Sequence, residues 1–169
     1  MRASLASFLL VLLLAPVAFA QTEPTSVVVD GVSVALPDGW ISTPTSSAQD
    51  GIRRVVANEQ DGDSLYPGAK LVVEVVPSLN RLQQERWLRG QLLRGLNASD
   101  QIEPVGLGVV GASTGAAVSF RGGGRAGYAL YTRGGAFYSV RLSAPPALWA
   151  DATTRDALLA LMRSVRVAG

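Results

Sequence analysis

Short apolar runs separated by turn-forming residues recur through most of this 169-residue chain, and they restrict what it can build. Val27–Asp30 and Val32–Leu36 meet at Asp30-Gly31, and Asp-Gly between apolar runs is a strong hairpin signal because both residues tolerate positive φ. Pro37-Asp38-Gly39 makes a second turn before Trp40, and Thr43–Gly51 is polar and loop-like. Arg53–Glu59 and Ala69–Val76 form another strand pair, linked through Asp61-Gly62 and Pro67-Gly68. Val109–Ala112 leads through Ser113-Thr114-Gly115 to Ala116–Arg121, and Gly122-Gly123-Gly124 is a turn. Gly127–Thr132 and Ala136–Leu142 read as a hairpin around Arg133-Gly134-Gly135, and Pro145-Pro146 stops the sheet. Strands joined by such short turns must pair antiparallel.

Two segments break this pattern with helical spacing. In Asn80–Leu96 the residues Leu82, Leu88, Leu92, Leu93 and Leu96 gather on one side, and Asn80 with Gln83 suits a capping pair. In Thr154–Ser164 the stripe Leu158, Leu161, Met162 and Val165 follows i, i+3, i+4, i+7, with Thr153 and Asp156 placed to cap the start. Val165–Val167 is expected to return as a short strand. Both helices need a sheet face to bury their leucines, so the expected fold class is α+β: an antiparallel β-sheet flanked by two main helices. With no internal repeat or linker, residues 27–169 read as a single domain, preceded by a flexible lead at 21–26.

Residues 1–20 read as a signal peptide: Arg2, then the apolar run Phe8–Leu14, Pro16, and Ala18-Phe19-Ala20. Cleavage after Ala20 would leave Gln21 first and no membrane anchor. The rival reading is an uncleaved span, since Ala3–Thr22 carries no charge; Pro16 and the shortness of the strongly apolar part oppose it. A secreted or periplasmic protein follows. Mass spectrometry of exported material should find Gln21 at the N-terminus; an intact Met1 on membrane-bound protein would overturn the assignment.

The composition excludes several chemistries. There is no cysteine, hence no disulfide, thiolate site or cysteine-linked lipid, and no histidine, hence no side chain that ordinarily titrates near neutrality. Lys+Arg number 15 against 13 Asp+Glu, and Arg2 lies in the leader, so the exported part is nearly neutral and unlike a nucleic-acid binder. No cofactor and no stoichiometric metal are expected, and the domain is expected to be monomeric.

Several residues together resemble the PsbP-like family. Val32–Leu36 followed by Pro37-Asp38-Gly39-Trp40 is similar to its opening; Gly111–Phe120, Gly127–Leu142 and Leu158–Val165 resemble a later strand, its late hairpin and its final helix. The resemblance implies a layered α/β/α fold with an antiparallel sheet between helices. It implies a mostly non-enzymatic family with diverse partners, so it speaks to fold far more than to function. The metal sites of a plant member of that family do not transfer to a chain without histidine.

Local motifs carry little chemistry. Gly106-Leu107-Gly108-Val109-Val110-Gly111 matches G-x-G-x-x-G, but a dinucleotide loop needs a strand before it and a helix after it; Pro104 and a strand-turn-strand are expected instead. Asp61-Gly62-Asp63-Ser64 lacks the calcium-loop ladder. Arg121-Gly122-Gly123-Gly124-Arg125 reads as a turn, and Asn97-Ala98-Ser99 is a sequon that matters only in a eukaryotic secretory route. A Ser-Lys dyad would need the single lysine, Lys70, three residues after a serine, where Pro67 stands. Glu59, Glu74 and Glu85 are the carboxylates that a histidine-free hydrolase could use, on separate elements.

The leading expectation is therefore a non-catalytic extracytoplasmic accessory or interaction domain. The alternative is a binder of a small apolar or anionic ligand in a sheet-helix cleft; the third is the hydrolase. On the Asn80–Leu96 helix, advancing 100° per residue puts Trp87 about 140° from Leu82, outside the leucine arc, with Arg94 beside it. Trp87 and Arg94 are the expected docking residues, since tryptophan and arginine are enriched at interface hot spots.

Overall fold

The computed structural model describes residues 25–29, 31–45, 52–59, 65–76, 80–98, 100–132 and 137–168, with the backbone alone described at 25, 81, 88 and 92–98. The leader, the Asp61-Gly62 loop and the turn around Arg133 lie outside the described residues.

Seven strands form the main sheet, all antiparallel, in the order β3 (Trp40–Pro44), β4 (Arg53–Glu59), β5 (Lys70–Val76), β9 (Phe137–Ala144), β8 (Arg125–Tyr131), β7 (Ala116–Gly122) and β6 (Gln101–Val105). A second sheet pairs β2 (Val32–Leu36) with β1 (Thr25–Val29) on one side and β10 (Arg166–Val167) on the other. The turn between β7 and β8 is two residues, Gly123 and Gly124, at φ 56° and 71°. Only glycine takes two such values in succession without cost, which matches the right-handed twist of the flanking strands.

The pleat divides the main sheet into two unlike faces. One carries Val55, Leu71, Val73, Leu130, Val140 and Leu142, all buried, and meets Leu158, Leu161 and Met162 of α4 (Ala152–Ser164). Val32, Val34 and Leu36 of the small sheet join the same core. Each such side chain contributes roughly 1.5–3 kcal/mol when fully buried. The small sheet is also pinned to α4 through Ser164: its Oγ accepts from the Ala35 amide at 3.0 Å and donates to the Leu161 carbonyl at 2.7 Å. The opposite face carries α1 (Arg81–Ala98), so the sheet lies between helices as expected.

The α1 cap is a reciprocal box. The Gln83 amide donates to Asn80 Oδ1 at 3.0 Å, and the Asn80 amide donates to Gln83 Oε1 at 2.9 Å. The α4 cap differs from expectation: Asp151, not Thr153, accepts from the Thr154 amide, at 2.7 Å, because the helix already begins at Ala152. That backbone bond, helped by the Thr154 hydroxyl and nearby Arg155, holds the Asp151 carboxyl below its ordinary value of 3.8. A depressed folded-state pKa contributes stability above the unfolded pKa and loses it as pH falls through the folded value. The melting temperature of the wild type should thus fall more steeply than that of Asp151→Asn below pH 4, since asparagine caps without titrating. Parallel melting curves would refute this.

Other segments also depart from the sequence reading. Val109–Ala112 is not a strand; Leu107–Val110 is a one-turn helix, α2, whose C-terminal Val109 carbonyl accepts from the Arg163 guanidinium at 2.7 Å. Pro145-Pro146 ends β9 and then opens a further short helix, α3 (Pro146–Ala150), where Pro146 at the first turn lacks only an amide that would be unpaired anyway. The sequence reading lacks strands β3 and β6; it does place strands near β1, β2 and β10, but not their pairing into a sheet of their own.

Candidate functional site

The α1 side of the sheet is the face where polar and apolar groups mix. On it β4 and β5 bring Arg54 directly opposite Glu74, and Arg54 Nε lies 2.7 Å from Glu74 Oε1. The other carboxylate oxygen accepts from Gln91 Nε2 of α1 at 3.2 Å. Both oxygens are thus engaged, and the same contact ties the helix to the sheet. One strand over, Arg141 of β9 stands opposite Val72 of β5 and Ala129 of β8. Its guanidinium carbon sits 4.5 Å from the centroid of the Phe120 ring, a cation–π contact. Phe120 in turn lies opposite Gly127, where a Cβ would come within 3.0 Å of the ring tip. The missing side chain is what lets the ring occupy that place.

Trp87 does not face away from the sheet. Its ring packs edge-on against Phe137 at 5.0 Å and Tyr131 at 6.1 Å, beside Phe120 and Ala129, while Leu82 is 57% exposed. The helix is turned so that Trp87 and Gln91, one turn apart, look down. A leucine count misplaces this face because Gln91 is polar; it is accommodated on the covered side by the Arg54–Glu74 pair. Trp87 remains half-buried, and its Nε1, although inaccessible, finds no hydrogen-bond partner among the described residues. The side chain of Arg94 lies outside the described residues.

Between α1 and the sheet a cleft of about 230 Å³ remains, with Val72, Ile102, Val118 and Phe120 as walls and Glu74, Ser139 and Arg141 as its polar edge. On the opposite face a more open and more polar groove of about 420 Å³ runs past Gln101, Arg121, Tyr128, Trp149 and Arg155. There Trp149 Nε1 donates to the Ala126 carbonyl and its ring meets Tyr128 edge-on at 5.4 Å.

The carboxylates named for hydrolysis are not brought together. Glu59 is five residues from Arg54 on the same strand and projects to the other face; Glu85 is exposed on α1. Among the described residues no group of three Asp or Glu side chains could hold a metal ion. The G-x-G-x-x-G run does follow a strand, β6, and does open a helix, correcting the expected strand-turn-strand. That helix is a single turn, and β6 pairs antiparallel with β7, so the βαβ context of a dinucleotide site is not formed. Among the described residues no helix is long and apolar enough to cross a membrane.

No family model matches the chain, and no curated protein matches it. The fold is PsbP-like. It is similar to the solution structure of cyanobacterial PsbP (CyanoP) from Synechocystis sp. PCC 6803, at 15% identity and a TM-score of 0.53, over 89% of this chain and 96% of that one. At that identity the likeness defines architecture.

Proposed function

We propose that this chain is an exported, non-catalytic accessory domain that acts by binding on the α1 side of its main sheet. The observation that carries the reading is the outer surface of α1. Leu82, Gln83, Glu85, Arg86 and Arg89 are all exposed there, two arginines and one acid beside an exposed leucine. Trp87 and Arg94 remain the proposed docking residues, with Trp87 acting at the helix margin from its half-buried seat. The reading is tested by recovering the protein from its native envelope and mapping hydrogen exchange before and after refolding. Protection of α1, β7 and β8 that disappears on refolding supports it; a change confined to α4 and the small sheet overturns it. Arg94→Glu should weaken capture without loss of fold. A second reading, a small-ligand binder, is favoured by the cleft beneath the same helix.

A further inference from the structure

We infer that the cleft under α1 is a site for a small single-chain carboxylate of about eight carbons in all, its apolar body in the cleft and its anionic head at Arg141. This rests on the reading of the α1 side as the binding side and names the chemistry of the ligand.

Size comes first. At roughly 30 Å³ per water-sized group, a cleft of about 230 Å³ takes about eight such groups. That is small for a cofactor and suits a short chain. The walls are apolar: Val72, Ile102, Val118 and Phe120 offer nothing to hydrogen-bond along the body of a ligand.

Charge is the second argument. Among the described residues two charged side chains line the cleft, Glu74 and Arg141, with Gln91, Tyr131 and Ser139 as its neutral polar groups. Glu74 would repel an anion, but Arg54 at 2.7 Å offsets its charge and Gln91 holds its other oxygen. Arg141 has no such counter-charge: among the described residues it forms no ion pair, and its contact is with the Phe120 ring. Among the described residues lining the cleft, the balance is one positive charge without a paired carboxylate, beside apolar walls. The ring also supports one face of the guanidinium, which reduces the side-chain freedom lost when an anion arrives. A neutral apolar ligand would leave this charge unused, and a cation would be repelled.

The probe is octanoate, read by isothermal titration against the whole exported protein, with octan-1-ol as the neutral counterpart. Octanoate should bind saturably and at least tenfold more tightly than octan-1-ol. Each methylene removed should weaken binding about fourfold, and decanoate should be no tighter than octanoate because the slot is full. Arg141 is exposed, so Arg141→Gln should fold; it should weaken octanoate roughly tenfold or more and leave octan-1-ol within about twofold. Val118→Phe, which fills the slot, should abolish both. Equal binding of acid and alcohol, an unchanged Arg141→Gln, or affinity that keeps rising beyond ten carbons would overturn the proposal. So would binding to anionic phosphatidylglycerol vesicles with none to monomeric octanoate. If octanoate fails while exchange still maps an envelope partner to α1, the ligand is wrong and the binding side stands.

Discussion

Gly127→Ala should destabilise the domain by about 3 kcal/mol or more, seen as a large drop in the urea midpoint. The added Cβ would overlap the Leu142 carbonyl oxygen on the neighbouring strand. That neighbour is backbone in the β8–β9 ladder, near the middle of the seven-stranded sheet, and it cannot turn aside as a side chain would. The same Cβ would meet the tip of the Phe120 ring at 3.0 Å, so any relief must move the ring that supports Arg141. Gly90→Ala is the contrasting substitution. It sits in α1 with nothing within 4 Å of the new carbon, and alanine there should stabilise by up to about 1 kcal/mol. If Gly127→Ala stays within about 1 kcal/mol of the wild type, the close approach of β8 and β9 is looser than the structure places it.

Much of the fold was legible from local chemistry. β2 and β4 fall where their apolar patterns put them, and the Gly123-Gly124 hairpin is set by two residues that take positive φ freely. The missed elements share a reason: each depends on partners far along the chain or on a residue that argues against itself. Pro104 speaks against a strand, yet β6 is a sheet edge, where a missing amide costs no ladder bond. The second sheet forms because β10, at the chain's end, returns to β2 near its start, a pairing no local pattern announces. The short helix α2 sits among glycines that lower any helical expectation, and its end is held by Arg163, more than fifty residues away.

The site was less legible because its chemistry is made by register. Arg54 and Glu74 are unremarkable in sequence; they become a pair when β4 and β5 align them. Arg141 over Phe120, and Phe120 over Gly127, follow from alignment of three strands in the same way. On α1, a projection that weighs leucines alone overlooks the spacing of four between Trp87 and Gln91. Among the described residues that pair ties the helix to this face, one aromatic and one polar. An inward-facing glutamine is readable only when its acceptor is known.

Trp87 therefore separates two roles. As a ring seated on Phe137 and Tyr131, it should cost about 2–3 kcal/mol when cut to alanine, less than the 3–5 kcal/mol of a fully buried tryptophan because it is half-exposed. Trp87→Phe should behave differently. It keeps an aromatic edge for both neighbours and removes an inaccessible N–H that has no acceptor, a group that costs about 1–3 kcal/mol to leave unpaired. The lost ring area works in the opposite direction by a similar amount, so Trp87→Phe should fall within about 1 kcal/mol of the wild type. Chemical denaturation of both variants reads the difference directly. If the phenylalanine variant loses as much as the alanine variant, the indole N–H has a partner and the helix sits differently over the sheet. Partner capture by the phenylalanine variant then isolates the docking role. A variant that is stable but fails to capture keeps Trp87 in the interface, while full capture confines it to holding α1 on the sheet.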